Sequence, residues 1–332
     1  MRLEETRLYV LVLAFSAAIL YGTTYQQFRF FNLGDPGGAA DAVSYVEMSK
    51  GNFDVDIHRY RWITPTAARL VRPLLERVVR DQGLAVKLSF YAVNFAFSLG
   101  TCVAMFALLQ SIGFPIPLAL LGISAFASGR ITVLVTATPM VDAAYFCAVA
   151  TLLYLTVARK PVILAVLLPA MILCKETVLL FLLLPLFTDI RRSRAYFAGL
   201  ATAIATFVMS RHIIDIIYPA SAPRFTETVI EHLGEAWLNF ERLFTLQGIH
   251  DLQNGFSLLL VLAALGALLN GRHRYYVIPR VVLLTVPIGL GYALLSGNLG
   301  RMFFVAFPAV IAYALVLIDH ISRTYRHDSN VR

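Results

Sequence analysis

Charge is what this sequence has least of. Only 14% of its 332 residues are Asp, Glu, Lys or Arg, against 58% hydrophobic residues and a mean hydropathy of +0.71. Soluble domains carry about 25% charged residues, so this composition excludes an ordinary soluble globular domain and fits a chain dissolved in lipid. Cysteine is nearly absent. Cys102, Cys147 and Cys174 all sit inside apolar segments without metal-ligand spacing, which excludes a disulfide scaffold and a thiolate metal site and leaves three small hydrophobes. The sequence also has no G-x-x-x-x-G-K-[ST] loop, no G-x-G-x-x-G after a strand, no H-E-x-x-H and no G-x-S-x-G. Phosphate-loop nucleotide hydrolysis, dinucleotide binding, zinc proteolysis and nucleophile-elbow hydrolysis therefore lack their residues. No internal repeat, low-complexity tract or linker divides the chain, so residues 1–332 read as a single transmembrane domain.

What the sequence does have is apolar runs separated by short basic clusters. The net charge of +8 comes largely from Arg159-Lys160, Arg191-Arg192-Arg194, Arg272-Arg274 and Arg323-Arg326. Clusters placed between apolar runs are accounted for by retention of cytoplasmic loops, not by a nucleic-acid partner. A span needs about 20 apolar residues. That rule predicts an all-α polytopic membrane protein of about ten helices, near 8–22, 84–110, 115–130, 140–158, 161–174, 176–190, 195–218, 254–271, 276–296 and 302–319. Ten spans with both termini inside place every basic cluster in the cytoplasm. The first run follows Arg2 and Arg7, but Glu4 and Glu5 spoil a basic leader and no small-x-small cleavage site follows, so it reads as an uncleaved helix. The expected location is the plasma (inner) membrane, multi-pass, and the compactness and short loops fit a bacterial source.

The stretch 161–187 decides the topology. As one straight helix it would reach about 40 Å, put Arg191-Arg192-Arg194 outside and bury Lys175-Glu176 at mid-bilayer. A hairpin with Lys175-Glu176 at its apex avoids both costs. Its arms of about 21 Å are too short to cross, so the apex is expected below the outer surface in a polar cavity.

Two large segments then face outward, 22–83 and 219–253. In the first, Asp41 and Gly51 bracket a short helix as N-cap and stop, and Thr64-Pro65 opens a second. Leu70, Val71, Leu74, Leu75, Val78 and Val79 recur at helical spacing opposite Arg69, Arg72, Arg77 and Arg80, a pattern for a helix lying in the membrane interface. Val229, Ile230, Leu233, Trp237 and Phe244 repeat the pattern in the second loop.

Candidate chemistry collects on this outward side. Asp41 can act as a general base for a hydroxyl, hold a divalent metal (Mg or Mn), or simply cap its helix. Asp35 is a second candidate metal ligand, although Asp35-Pro36-Gly37 is also a good turn sequence. Lys175 and Glu176 are costly between apolar arms and so point to function, against a self-satisfied pair closing the turn. Arg301 opens the last span at the outer face and is a binding residue or an interfacial anchor. Tyr45, His58, Arg61 and Arg130 share that side as candidate substrate contacts, and Asp142 begins the fourth span there. Arg211 and Asp215, four residues apart, read as a helical ion pair with His212 between them.

Three segments in this order resemble the GT-C superfamily of integral membrane glycosyltransferases. Asp41-Ala-Val-Ser-Tyr45-Val-Glu-Met-Ser-Lys-Gly51-Asn looks like the D-E-x-x-Y…G-[DN] start of the first loop in aminoarabinose- and mannosyl-transferring members. Leu173-Cys-Lys175-Glu-Thr-Val-Leu-Leu, ending at Leu184-Pro185, is similar to their recessed hairpin before an L-P. Arg301-Met-Phe-Phe-Val-Ala-Phe-Pro308 looks like their R-Y-x-x-P-x-x-P final span. The resemblance implies a polyprenyl-phosphate-linked sugar donor, a glycan, lipid or protein acceptor in the cell envelope, and inverting transfer on the periplasmic or exterior side. It implies Asp41 as base or metal ligand, and Lys175 and Arg301 on the donor phosphate. Ala42 replaces the usual second acid, and the large soluble domain of many members is missing. A transporter or flippase for a lipid-linked sugar, with Lys175-Glu176 as a gating pair, and a non-catalytic scaffold subunit are the other readings.

Overall fold

A computed structural model describes residues 3–34, 41–55, 57–219, 234, 236–273, 275–296 and 298–330. Among them every regular element is helical. Four helices are long and apolar enough to cross a membrane: α1 (Leu3–Phe30), α4 (Gln82–Ile112), α10 (Arg194–Ile217) and the run Leu299–Tyr325, formed by α15 (Leu299–Phe303), a 3-10 turn and α16 (Phe307–Asn330). Two bent pairs raise the count to six. These are α5 (Ile116–Ala127) with α6 (Arg130–Ala137), bent by 59°, and α11 (Leu246–Phe256) with α12 (Leu259–His273), bent by 85°. The remaining apolar helices are α7 (Asp142–Val157), α8 (Pro161–Ile172), α9 (Val178–Phe181), α13 (Arg280–Leu283) and α14 (Thr285–Leu294), each shorter than the roughly 20 residues a full crossing needs.

The expected ten full-length spans are thus four to six, and the difference lies at chain breaks that a hydropathy window averages over. The expected 115–130 helix breaks at Ser128-Gly129, and the expected 254–271 helix is really two, meeting at Ser257 with φ 54. The expected 276–296 helix is interrupted at Leu284, between α13 and α14. The first helix extends past the expected 22 to Phe30, which shortens the first large loop from its N-terminal side.

The short helices of that loop form where the sequence placed them. Gly51 ends α2 (Ala42–Lys50) in the left-handed region, φ 95, with its N–H donated to the Glu47 and Met48 carbonyls. A 3-10 turn, Ile57–Tyr60, leads into α3 (Ile63–Glu76), which starts two residues before the expected Pro65. Leu70, Leu74 and Val78 are exposed, Ala68 is buried, and α3 packs on α4. In the second loop, residues 236–243 are helical with Trp237 exposed; Val229, Ile230 and Leu233 lie outside the described residues.

α4 and the Leu299–Tyr325 run form the core, 61% and 78% buried over their most apolar windows, whereas α1 and α10 are peripheral at 22% and 6%. The stretch after Pro161 does turn back. Arg159 and Asp189, at its two ends, form an ion pair at 3.0 Å, and the Tyr196 hydroxyl donates to the Leu182 carbonyl on the returning arm. Lys175 and Glu176 therefore occupy the far end of a re-entrant segment. At that same end α7 begins, and its start is fixed by α4. Asn94, fully buried, donates to the carbonyls of Thr138 and Met140 at 2.8 and 3.0 Å, and so holds the short connection that delivers Asp142. Asn94→Ala strands the Met140 carbonyl in an apolar interior, while the Thr138 carbonyl keeps the Met140 N–H at 2.7 Å; the variant is expected to cost about 2 kcal/mol, with Asn94→Asp worse still because a carboxylate would face two acceptors. Thermal unfolding of the two variants in detergent checks the order.

Candidate functional site

Three candidates from separate segments, Asp41, Lys175 and Arg301, are brought together by the fold around Asp142, an acid that the sequence placed on the same side without a role. Asp142 opens α7, is 1% exposed, and accepts from Lys175 Nζ at 2.7 Å through one oxygen. Its other oxygen takes the Arg301 guanidinium at 2.8 Å, with Arg301 Nε at 3.1 Å. The same guanidinium donates to Asp41 at 2.9 Å. Beyond Asp41, His58 Nε2 stands 3.8 Å from the free side of the carboxylate, and its ring meets Tyr45 edge-on. A second pair closes the cluster: Arg61 donates through Nε and Nη2 to both oxygens of Glu176, and through Nη1 to the Tyr45 hydroxyl at 3.1 Å.

Each side chain is held by its own element. Arg301 lies in the first turn of α15, where Asn298 accepts from its backbone N–H at 3.1 Å. Gly300 and Gly255 let α11 press against this turn: a Cβ on Gly300 would come within 2.1 Å of the Asp251 carbonyl oxygen. Lys175 crosses the Tyr145 ring at 5.3 Å on its way to Asp142. The Tyr292 hydroxyl donates to the Thr177 carbonyl and fixes the chain just after the apex.

The three acids Asp41, Asp142 and Glu176 balance the three bases Arg61, Lys175 and Arg301, which is how a low-dielectric interior tolerates so much charge. Exposure divides the set by role. Lys175 is 1% exposed and sealed behind Asp142, while the Asp41 and Glu176 side chains keep 28% and 30% of their surface open. Burial alone would raise the Asp41 carboxyl, but the Arg301 guanidinium and His58 outweigh it and hold the group below its ordinary value. It is an anion at neutral pH. A groove with a cavity volume of about 910 Å³ runs between α2, α3 and the start of α4, beginning at Ala42 beside Asp41. Its lining includes Glu47, Arg69 and Arg72 but none of the networked charges. Charge and burial, not the groove, mark the candidate site.

Several expectations change. Asp41 is not a capping residue: its backbone is helical, φ −58, with no side-chain bond to the helix, because the carboxylate is turned to Arg301. Lys175 and Glu176 do not pair with each other at the turn; each reaches across to another element. Arg130 stands apart, donating to Asn254 at 2.7 Å in a different pocket. Asp215 accepts from Arg59 and Tyr60 at 2.8 and 2.7 Å, and Arg211 stacks on Tyr60, so the helical Arg211–Asp215 pair is replaced by contacts to the first loop. Asp35 lies outside the described residues. Asp41 faces the Arg301 guanidinium at 2.9 Å and the His58 ring at 3.8 Å, and among the described residues no three His, Cys, Asp or Glu side chains converge. Asp142 had a signal in the sequence, a carboxylate between apolar runs, whose partners only the fold reveals.

Comparison of the chain with protein-family models, curated proteins and solved structures gave no match, so its chemistry rests on this geometry.

Proposed function

We propose that the chain is an integral membrane glycosyltransferase that moves a sugar from a polyprenyl-phosphate donor to an envelope glycan, lipid or protein acceptor on the non-cytoplasmic face. The observation that carries this reading is the Asp41–Arg301–Asp142–Lys175 row, which links the outward loop, the re-entrant apex and the last span at one membrane end. In this orientation both termini and the 159–160 and 191–194 clusters lie in the cytoplasm of a plasma membrane. Nucleotide sugars do not reach the opposite face, whereas a lipid-linked donor presents its phosphate there.

In the proposed reaction the donor phosphate draws the Arg301 guanidinium, whose charge-assisted hydrogen bonds are about twice as strong as neutral ones. Asp41, relieved of its cation, becomes more basic and takes the proton of the acceptor hydroxyl. The hydroxyl oxygen bonds to the anomeric carbon as the bond from that carbon to the phosphate oxygen breaks, with inversion, and the polyprenyl phosphate leaves carrying the electron pair. Lys175, too enclosed to touch the phosphate, orients Arg301 through Asp142 and is a positioning residue. The lipid tail follows the apolar side of α3.

A second reading keeps support from the fold. The two bent pairs, at 59° and 85°, are the kind of interrupted spans on which transporters build substrate sites. The experiment that separates the two supplies the purified protein in detergent with a polyprenyl-phosphate sugar and candidate acceptors, with no sealed compartment present. Sugar transfer is expected. A donor that is bound but never consumed, yet crosses the bilayer once the protein is in vesicles, favours the transporter; transfer from a nucleotide sugar with the lipid donor inert overturns the proposal.

A further inference from the structure

Arg130 is the candidate cation that the row of charges leaves aside, and it stands where two broken spans face each other. The break at Ser128-Gly129 and the break at Ser257 line one cavity of about 640 Å³, together with Arg130, His250 and Asn254. α11 packs on both α6 and α15, which sets the two breaks side by side. Phe304 lines the same cavity from the 3-10 turn after α15, whereas Arg301, three residues earlier, is taken by Asp41 and Asp142. The cavity thus adjoins the charged site and shares none of its ionised groups.

Arg130 lacks a counter-charge. Among the described residues its side chain makes one hydrogen bond, from Nη1 to Asn254 Oδ1 at 2.7 Å, and no carboxylate lines the cavity. The single acid of α11, Asp251, is taken by Arg242 at 2.5 Å. The bond to Asn254 also decides what the neighbouring groups offer. With its oxygen toward Arg130, the Asn254 amide turns its NH2 to His250 Nδ1 at 3.0 Å, so that nitrogen accepts and the proton of the neutral ring sits on Nε2. The cavity therefore presents the remaining guanidinium N–H groups and the His250 Nε2–H. Donors around one uncompensated cation call for an anion with several acceptor oxygens.

We infer that this cavity binds the phosphate group of an anionic phospholipid. Depth supports a lipid. Measured from their ends remote from the breaks, α5 is about 18 Å long and α12 about 22 Å, and both stop short of the roughly 30 Å hydrocarbon core. An arginine without a counter-charge is costly at that level, and the phosphodiester of the adjoining leaflet is the anion at hand. The lining supports it too, because Ala125, Leu258 and Leu262 continue the wall beside the polar groups and give an acyl chain a surface, with Leu258 exposed. Net charge then selects the headgroup. Phosphatidylglycerol brings only the phosphate anion, whereas phosphatidylcholine adds a quaternary ammonium beside Arg130 with no lining acid to receive it. A free phosphate ion offers the same oxygens without the tail. The site is independent of sugar transfer and needs only that the chain span a membrane.

The test is native mass spectrometry of the full chain released from detergent after equilibration with phosphatidylglycerol or phosphatidylcholine of identical acyl chains. One molecule of phosphatidylglycerol is expected to be retained in preference to the choline lipid. Arg130→Gln is expected to lower that retention about tenfold, the size of one lost charge-assisted hydrogen bond. Asn254→Asp is the sharper variant, since it supplies the missing carboxylate where the amide oxygen now stands, 2.7 Å from Arg130. It is expected to lower retention as far while the thermal midpoint in lipid-free detergent holds or rises, an outcome that damage to the fold does not produce. Leu258→Trp, at an exposed position, fills the cavity from outside and is expected to abolish retention. Excess inorganic phosphate separates the two sources of the anion: displacement of the lipid means that the phosphate group alone suffices, and persistence means that the tail is part of the ligand. Equal retention of the two lipids by the wild-type chain, or undiminished retention by both Arg130→Gln and Asn254→Asp, overturns the inference.

Discussion

Replacing Asp142 by alanine is expected to cost about 3–5 kcal/mol of folding free energy, the range for stripping one partner from a buried ion pair. The carboxylate is 1% exposed and serves two cations at once, Lys175 at 2.7 Å and Arg301 at 2.8 Å. Alanine leaves Lys175 with no counter-charge and no route to water, and leaves Arg301 with Asp41 alone at 2.9 Å. Lys175→Met is expected to cost less, because Asp142 then keeps Arg301 and the methionine stem fills the space beside Tyr145. The decisive variant is the double one. Asp142→Ala with Lys175→Met removes an anion and a cation together, so its loss is expected to fall below that of Asp142→Ala alone. That sign of coupling arises only between groups that share a network. Thermal unfolding of the four proteins in one detergent measures it. Additive losses, or a loss under about 1 kcal/mol for Asp142→Ala, would mean that the row of charges does not form.

What was legible in the sequence tracks how local its cause is. The short helix from Ala42 to Lys50 could be read because Gly51 ends it by a rule that involves only its own turn. The re-entrant stretch was legible because Lys175-Glu176 interrupts an apolar run, and the cost of that charge is independent of its neighbours. The roles of these residues were not legible. Asp41 reads as an N-cap until Arg301, 260 residues away, is placed 2.9 Å from it; a guanidinium then wins the carboxylate over a backbone N–H. Asp215 reads as the partner of Arg211 until α10 is packed against the 3-10 turn that carries Arg59. Asn94 gave no sign of its task, since an asparagine in an apolar helix shows only that partners exist, not that they are the Thr138 and Met140 carbonyls. The span count failed for a related reason. The break at Gly129 has a residue signal that length alone overrode, and the one at Ser257 follows Asn254-Gly255, a turn-forming pair that length overrode in the same way.

Asp41→Asn is expected to lower sugar transfer by about 10²–10⁴-fold, the usual contribution of a positioned general base, and to leave the fold nearly intact. Asparagine keeps the size of the side chain and still offers Arg301 an oxygen, and Arg301 retains Asp142 at 2.8 Å. The position is also partly open, so the folding cost is expected at about 1 kcal/mol, the net worth of a single hydrogen bond. The kinetic pattern separates a base from a donor ligand. Losing the base lowers kcat, while the KM for the lipid donor stays level or falls, because the Arg301 guanidinium no longer has an aspartate to leave before it meets the phosphate. The pH dependence of stability supplies an independent check on the pairing. The Asp41 carboxyl is held below its ordinary value by Arg301 despite burial, so folding binds the deprotonated form more tightly. Its contribution is fully present above the unfolded carboxylate value of about 4 and is lost as pH falls through the lowered folded value. The stability gap between wild type and Asp41→Asn should therefore be constant through neutral pH and shrink only in acid. An Asp41→Asn enzyme that keeps most of its turnover would show that the acceptor proton goes elsewhere, and would leave Asp41 as the counter-ion that holds Arg301 in place.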